Sequence, residues 1–224
     1  MFNPLFKNRN EAGMVLGMEL AKLDILNPLI LALPRGGVVI GNQVAQILEC
    51  DLDIVVARKI GAPNQEEYGI GAISEDGISL FNPELGEDYD FDSPEVLAII
   101  NREKKELKRR VEHYRRGRAL PNLINRHVIV VDDGLATGVT AAAAANFLRK
   151  LQPKSLKLAI PVGPKHPGVL VEELFDEIIC LAEPDPFSGV GLWYRDFTQV
   201  EDHEVMRIID EHHPPGHLPE ALFV

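Results

Sequence analysis

Two adjacent carboxylates at the end of an apolar run, followed by a glycine- and threonine-rich turn, are the residues of this chain best suited to chemistry. They lie in VIVVDDGLATGVTAAAA, Val128 to Ala144. Val128 to Val131 read as a buried strand that ends on Asp132 and Asp133. Gly134, Leu135, Ala136, Thr137, Gly138 and Val139 then turn into an alanine-rich helix that starts at Thr140. In open α/β sheets ligands bind at the carboxyl ends of strands. A helix N-terminus adds unpaired amides and a partial positive charge, which suit a phosphate. Gly134 and Gly138 let backbone amides approach closely, and Thr137 and Thr140 supply hydroxyl donors. Two carboxylates just before such a turn can accept hydrogen bonds from the vicinal hydroxyls of a ribose. The segment therefore asks for a sugar phosphate with free hydroxyls. A plain strand–turn–helix corner needs neither the paired acids nor T-G-x-T at the helix start. A Walker-type loop is excluded because G-x-x-x-x-G-K-[ST] is absent, and so is the dinucleotide fingerprint G-x-G-x-x-G at this turn.

The elements that must position these residues alternate between apolar strand and amphipathic helix, as in a parallel sheet covered on both faces. The pattern predicts an opening helix at 9–23, a strand at 29–33, a helix at 38–49 and a strand at 54–57. Polar residues with Gly and Pro make 58–68 a long mobile loop. Short strands at 70–74 and 78–81 flank the turn Glu75-Asp76-Gly77. Ser93-Pro94-Glu95 is a helix start, with Ser as cap, Pro in the first turn and Glu at the positive end. That helix runs to about Arg116. A strand at 127–131, a helix at 140–151, a strand at 156–160, a helix at 168–174 and a strand at 178–181 follow. From Glu183 the pattern breaks, with a final helix at 202–211 and a Pro-bearing end that drapes over the surface.

At this point VIVVDDGLATGVT resembles the phosphoribosyl-pyrophosphate signature of type I phosphoribosyltransferases. The resemblance implies an open parallel-sheet α/β fold with helices on both faces and a small hood. It implies one domain over 1–224, with a core at about 29–182 and the N-terminal helix and 183–224 as hood or lid. Asp132 and Asp133 would contact the ribose hydroxyls, directly or through hydrated Mg²⁺. Thr137, Gly138 and Thr140, with the amides of Gly134, Leu135, Ala136 and Val139, would hold the 5′-phosphate. LPRGG, Leu33 to Gly37, resembles the family's pyrophosphate loop, which often carries a non-proline cis peptide. Arg35 would be its charged donor, beside Gly36 and Gly37. ARKIGAPNQEEYGIGA, from Ala57, resembles the strand end and mobile loop of purine-type members. Arg58 and Lys59 would contact phosphates there, Lys59 being the better candidate. The family holds its acceptor under a hood, for which Trp193 and Tyr194 are candidates to stack a planar base; the alternative is that both rings pack the tail onto the body. FKNRNEAG, Phe6 to Gly13, and VGLWYRDFTQV, Val190 to Val200, look like a phosphoribosyltransferase-like subgroup whose acceptor base is unsettled.

The implied activity is Mg²⁺-dependent transfer of a 5-phosphoribosyl group from phosphoribosyl pyrophosphate to a nitrogenous base. A non-catalytic sensor binding phosphoribosyl pyrophosphate or a nucleotide would use the same pocket. Homodimers are common in the family. Composition fits either reading: 46% of the 224 residues are hydrophobic and the formal charge is −11, which argues against broad binding to nucleic acid or anionic membrane. Residues 101–118 carry nine basic side chains against three acids, readable as a partner surface or as a solvated helix face. Cys50 and Cys180 read as core thiols, and the histidines lack metal-site spacing. With no apolar run near the ~20 residues of a membrane span and a charged N-terminus, the expected location is cytoplasmic.

Overall fold

In the computed structural model, residues 4–85 and 89–213 are described. The predicted Pro-bearing end from 214 onward lies outside them. The chain runs α1 (Arg9–Ala21), β1 (Leu29–Ala32), α2 (Gly36–Leu48), β2 (Asp51–Ile54), β3 (Arg58–Ala62), β4 (Gln65–Ile73) and β5 (Ser79–Phe81). It continues α3 (Pro94–Arg115), β6 (His127–Val131), α4 (Val139–Lys150), β7 (Ser155–Val162), α5 (Val169–Leu174), β8 (Glu177–Ala182) and α6 (Asp202–His212). Five strands form a parallel sheet in the order β2-β1-β6-β7-β8, and β3-β4-β5 form a separate antiparallel sheet.

Both faces of the parallel sheet are covered, which is why its strands read as continuous apolar runs. Ile30, Ala32, Ile129 and Val131 point into a core shared with α1, α2, α3 and α6. Leu29, Leu31, Val128 and Val130 point the other way, onto the alanine face of α4. Strand pleating thus splits one apolar run between two cores.

Helices α1 and α2 pack in register at very short range, and two glycines on α1 permit it. A Cβ placed on Gly13 would lie 2.9 Å from the carbonyl oxygen of Ile40, and one on Gly17 would lie 2.8 Å from Ile47 Cδ1. The same pairing sets the first residue of α1, Arg9, beside the first residue of α2, Gly36. Helix α3 starts as its sequence predicts, with Ser93 Oγ accepting the amide of Val96 at 3.4 Å.

Two expectations are corrected. The second strand is Asp51–Ile54, not 54–57. Val55 to Ala57 are buried but leave the ladder: Val55 donates its amide to the Ala32 carbonyl and Val56 to the Glu75 carboxylate. Apolar character there reports burial rather than strand pairing. The stretch 58–68, expected as a loop, is mostly strand. β3 and β4 pair around Pro63-Asn64, with register shifts between Ile60 and Ala62. Ile60 and Ile70 are buried while Gln65 and Glu66 are exposed, so the ribbon hides only part of its length and looks polar in sequence.

Candidate active site

β1 and β6 are neighbours, so the loops that leave their carboxyl ends must lie side by side. The first is Leu33 to Gly37, entering α2; the second is Asp132 to Gly138, entering α4. Leu33 donates its amide to the carbonyl of Val131 at 2.9 Å, which extends the pairing to the loop base. The Pro34–Arg35 peptide bond is cis. Glycine is required in the first loop because the second presses on it. A Cβ on Gly36 would stand 1.9 Å from Asp133 Oδ2, and one on Gly37 would stand 2.9 Å from Asp132 Cα. The expected pyrophosphate loop and the acidic pair are in direct contact.

Asp133 is held on three sides. Arg9 Nε donates to its Oδ2 at 2.7 Å, the Tyr194 hydroxyl donates to its carbonyl oxygen at 2.6 Å, and its amide donates to Asp132 Oδ1 at 2.8 Å. Burial pushes the Asp132 carboxyl well above the usual aspartate range, and the adjacent Asp133 charge adds to the rise. Burial also raises Asp133, against the opposing pull of Arg9. Such a pair favours a cation or hydrogen-bond donors brought by a ligand. Among the described residues no cluster of three or more His, Cys, Asp or Glu side chains could hold a metal. Two carboxylates at a strand end still fit Mg²⁺, which is typically held by one or two carboxylates plus water and substrate phosphates.

The other expected site residues fall into two groups. Lys59 and Thr137 share a neighbour: a Cβ on Gly69 would lie 3.2 Å from the Lys59 side chain and 3.5 Å from Thr137 Oγ1. Gly69 of β4 therefore lies between the Lys59 side chain and the α4 turn, with both close to it. In that turn Ala136 and Thr137 are exposed and Thr140 is half-buried, whereas Leu135 and Val139 are buried anchors. The Leu135 amide is tied to Val162 at 2.9 Å, and Gly138 caps α4 with φ of 71°.

Arg35 leans the other way, toward the start of α6, 3.6 Å from Asp202 and 3.9 Å from Glu201. Arg58 is committed to α3, donating to Glu103 Oε2 at 2.9 and 2.5 Å. Glu103 is buried, so this guanidinium compensates a carboxylate that has been taken out of water. Trp193 and Tyr194, candidates for base stacking, are 7% and 4% exposed. Tyr194 packs against Phe6 and Phe197, and the Trp193 carbonyl accepts the amides of Leu5 and Phe6. Their burial follows from this pairing of tail with N-terminus: they fasten the tail to the body instead of lying open to a planar ligand.

The basic stretch of α3 is largely neutralised from outside and within the helix. Arg102 pairs with Glu66, Arg109 and Arg110 with Glu106, Arg115 with Glu75, and Arg116 with Asp210. Arg102, Lys104, Lys105, Lys108, Arg109 and Arg116 are exposed, as on a solvated helix face, whereas Arg115 is buried with Glu75. Burial pushes the Cys50 and Cys180 thiols up to about 11, in keeping with core roles. Arg9 is the site residue that sequence reasoning did not single out. Its only signal was membership of FKNRNEAG, whose resemblance carried no chemical role.

A family model described as a phosphoribosyl transferase domain matches residues 16–192. Two Mycobacterium tuberculosis proteins, from strains H37Rv and CDC 1551, are each 40% identical over 209 residues, 93% of this chain. Both are named as candidate phosphoribosyl transferases. The chain spans about half the length of these curated relatives, 47% of each. The crystal structure of TT1426 from Thermus thermophilus is similar at 36% identity and a TM-score of 0.74, covering 92% of this chain and 98% of that one. A Neisseria gonorrhoeae hypothetical protein with bound ppGpp shares the fold at 12% identity and a TM-score of 0.51, over 94% of this chain and 98% of that one.

Proposed function

The chain belongs to the phosphoribosyl transferase family, and on that premise we propose that it moves a 5-phosphoribosyl group from phosphoribosyl pyrophosphate to a nitrogenous base. The observation that carries the reading is the close approach of the Gly36-Gly37 backbone to the Asp132-Asp133 pair at the carboxyl ends of β1 and β6. In the reaction the bond from the anomeric carbon to pyrophosphate breaks, its electron pair leaves with pyrophosphate, and a nitrogen lone pair forms the new bond. The transition state has oxocarbenium character, as in glycoside cleavage. Positioning and charge then account for most of the acceleration, and no enzyme nucleophile is needed.

In this reading Asp132 and Asp133 accept the ribose hydroxyls, and the first-turn amides of α4 with Thr137 and Thr140 hold the 5′-phosphate. Lys59 stabilises charge on departing pyrophosphate. Arg35 joins it, drawn from ion pairs that at 3.6 and 3.9 Å are longer than hydrogen bonds. Asp132 and Asp133 would also hold hydrated Mg²⁺, which when bound supplies positive charge against the pyrophosphate. No described helix is long and apolar enough to cross a membrane, and the proposed place of action is the cytoplasm.

The test is pyrophosphate release from phosphoribosyl pyrophosphate and Mg²⁺ with a panel of purine and pyrimidine bases. Release with one base, abolished in an Asp132→Asn/Asp133→Asn double variant that still unfolds in one cooperative transition, supports transfer. Tight binding of phosphoribosyl pyrophosphate without release for any base would replace the enzyme by the sensor.

A further inference from the structure

The two sequence stretches without a chemical role, FKNRNEAG and VGLWYRDFTQV, meet in space. The amides of Leu5 and Phe6 donate to the Trp193 carbonyl, that of Arg195 to the Phe6 carbonyl and that of Asp196 to the Lys7 carbonyl. Arg9 of the first stretch stacks its guanidinium 3.8 Å over the Phe197 ring of the second and donates Nη1 to the Thr198 carbonyl at 2.8 Å. Its remaining edge carries the 2.7 Å bond to Asp133. The Arg9 side chain is 10% exposed, so this contact is shielded from water. From the second stretch Tyr194 grips the Asp133 carbonyl.

We propose that Arg9 is a positioning residue for ribose recognition: with Tyr194 it fixes the Asp133 carboxylate so that its second oxygen faces the vicinal hydroxyls of the sugar phosphate. The proposal rests on the hydroxyl-binding role read above for Asp133. A carboxylate free to rotate would present either oxygen to the sugar. Arg9 binds Oδ2, and in the proposal Oδ1 is the oxygen that accepts the hydroxyl. The tail and the N-terminus thus assemble a rigid acceptor for one hydroxyl, and Asp132 supplies the other. Arg9 is fork-shaped and stacked, so Lys could replace its charge but neither its second hydrogen bond nor its ring contact.

Calorimetric titration of the full chain with ribose 5-phosphate and 2-deoxyribose 5-phosphate tests this without turnover. The unaltered protein should prefer the ribose form by about tenfold, the value of one hydrogen bond to a charged group. Arg9→Gln should bring the ratio close to one, chiefly by weakening the ribose form, and Arg9→Lys should restore part of it. In an Asp133→Asn background, Arg9→Gln should change the ratio no further. Equal weakening of both sugars by Arg9→Gln and Arg9→Lys would make Arg9 structural only and overturn the proposal, as would a ratio unchanged from that of the unaltered protein. Absence of any preference in the unaltered protein would refute the hydroxyl reading of Asp133 itself, and the proposal with it.

Discussion

Replacing Gly36 by alanine sets two effects of opposite sign against each other. Gly36 opens α2, and helix propensity alone favours alanine over glycine by up to about 1 kcal/mol. The added methyl, however, would sit 1.9 Å from Asp133 Oδ2, 2.7 Å from its Cγ and 2.8 Å from Arg9 Nε. Neither neighbour can step aside cheaply, because each holds the other and Arg9 is also bound to Thr198 and Phe197. Relieving the clash costs about 1–3 kcal/mol as overpacking. Breaking the Arg9–Asp133 contact costs about 1.5–3 kcal/mol more. The net expectation is a loss of about 2–5 kcal/mol, which at about 2–4 °C per kcal/mol for a chain of this size is a clear fall in melting temperature. Displacing Asp133 should also weaken phosphoribosyl pyrophosphate binding by at least about tenfold. Differential scanning calorimetry and isothermal titration of the Gly36→Ala variant measure both. A melting temperature at or above that of the unaltered protein, with unchanged affinity, would refute the packing argument.

Arg58 and Lys59 are adjacent yet should separate cleanly in mutagenesis. Arg58→Ala leaves the buried Glu103 carboxylate short of a partner and should cost about 1–3 kcal/mol in denaturant melts. Lys59→Ala should lower turnover more than affinity, because its contact strengthens as charge builds on pyrophosphate; equal losses in steady-state kinetics would make it a ground-state binder. On α3, the Arg109 hydrogen bond, helped by Arg110, holds Glu106 down to about 2. Its folded value lies below its unfolded one of about 4.3, so its stabilisation is present above that pH and is lost as pH falls toward 2. Because Arg109 is 49% exposed, screening limits the effect to roughly 1 kcal/mol or less. The melting difference between the unaltered protein and Glu106→Gln should therefore close on acidification; a gap that persists at low pH would contradict it.

Much of the candidate site could be read from the chain because its determinants are local. β6 and the α4 turn are one contiguous segment in which a buried strand, a polar edge and a helix start succeed one another. The adjacency of the Gly36-Gly37 loop followed from parallel pairing at the carboxyl edge. What escaped was through-space. Arg9 and Asp133 are 124 residues apart in sequence, and no periodicity links a charge in an opening helix to a carboxylate on a distant strand. Arg35 and Arg58 read as cations near the loops. Their acidic partners, Asp202 and Glu103, lie on helices whose packing the pattern did not specify. The ribbon formed by β3 and β4 reads as a loop because polar residues on an edge resemble polar residues in a coil. Trp193 and Tyr194 are ambiguous in sequence for a related reason: an aromatic pair has the same letters whether it faces a ligand or a core.

The glycine seam between α1 and α2 turns one helix into a gauge for the other. Arg9 sits one helical turn before Gly13, and Gly36 one turn before Ile40, so the spacing at the seam is handed directly to the guanidinium. Widening the seam by about 0.8 Å would carry the 2.7 Å Arg9–Asp133 contact to the limit of a hydrogen bond. A single methyl at Gly13, which would lie 2.9 Å from the Ile40 carbonyl, would push the helices apart by a few tenths of an ångström, a part of that distance. On the proposed reading the acidic pair is positioned in part by the packing of α1 on α2, so a substitution at the buried Gly13 can disturb it while every polar residue of the site stays in place.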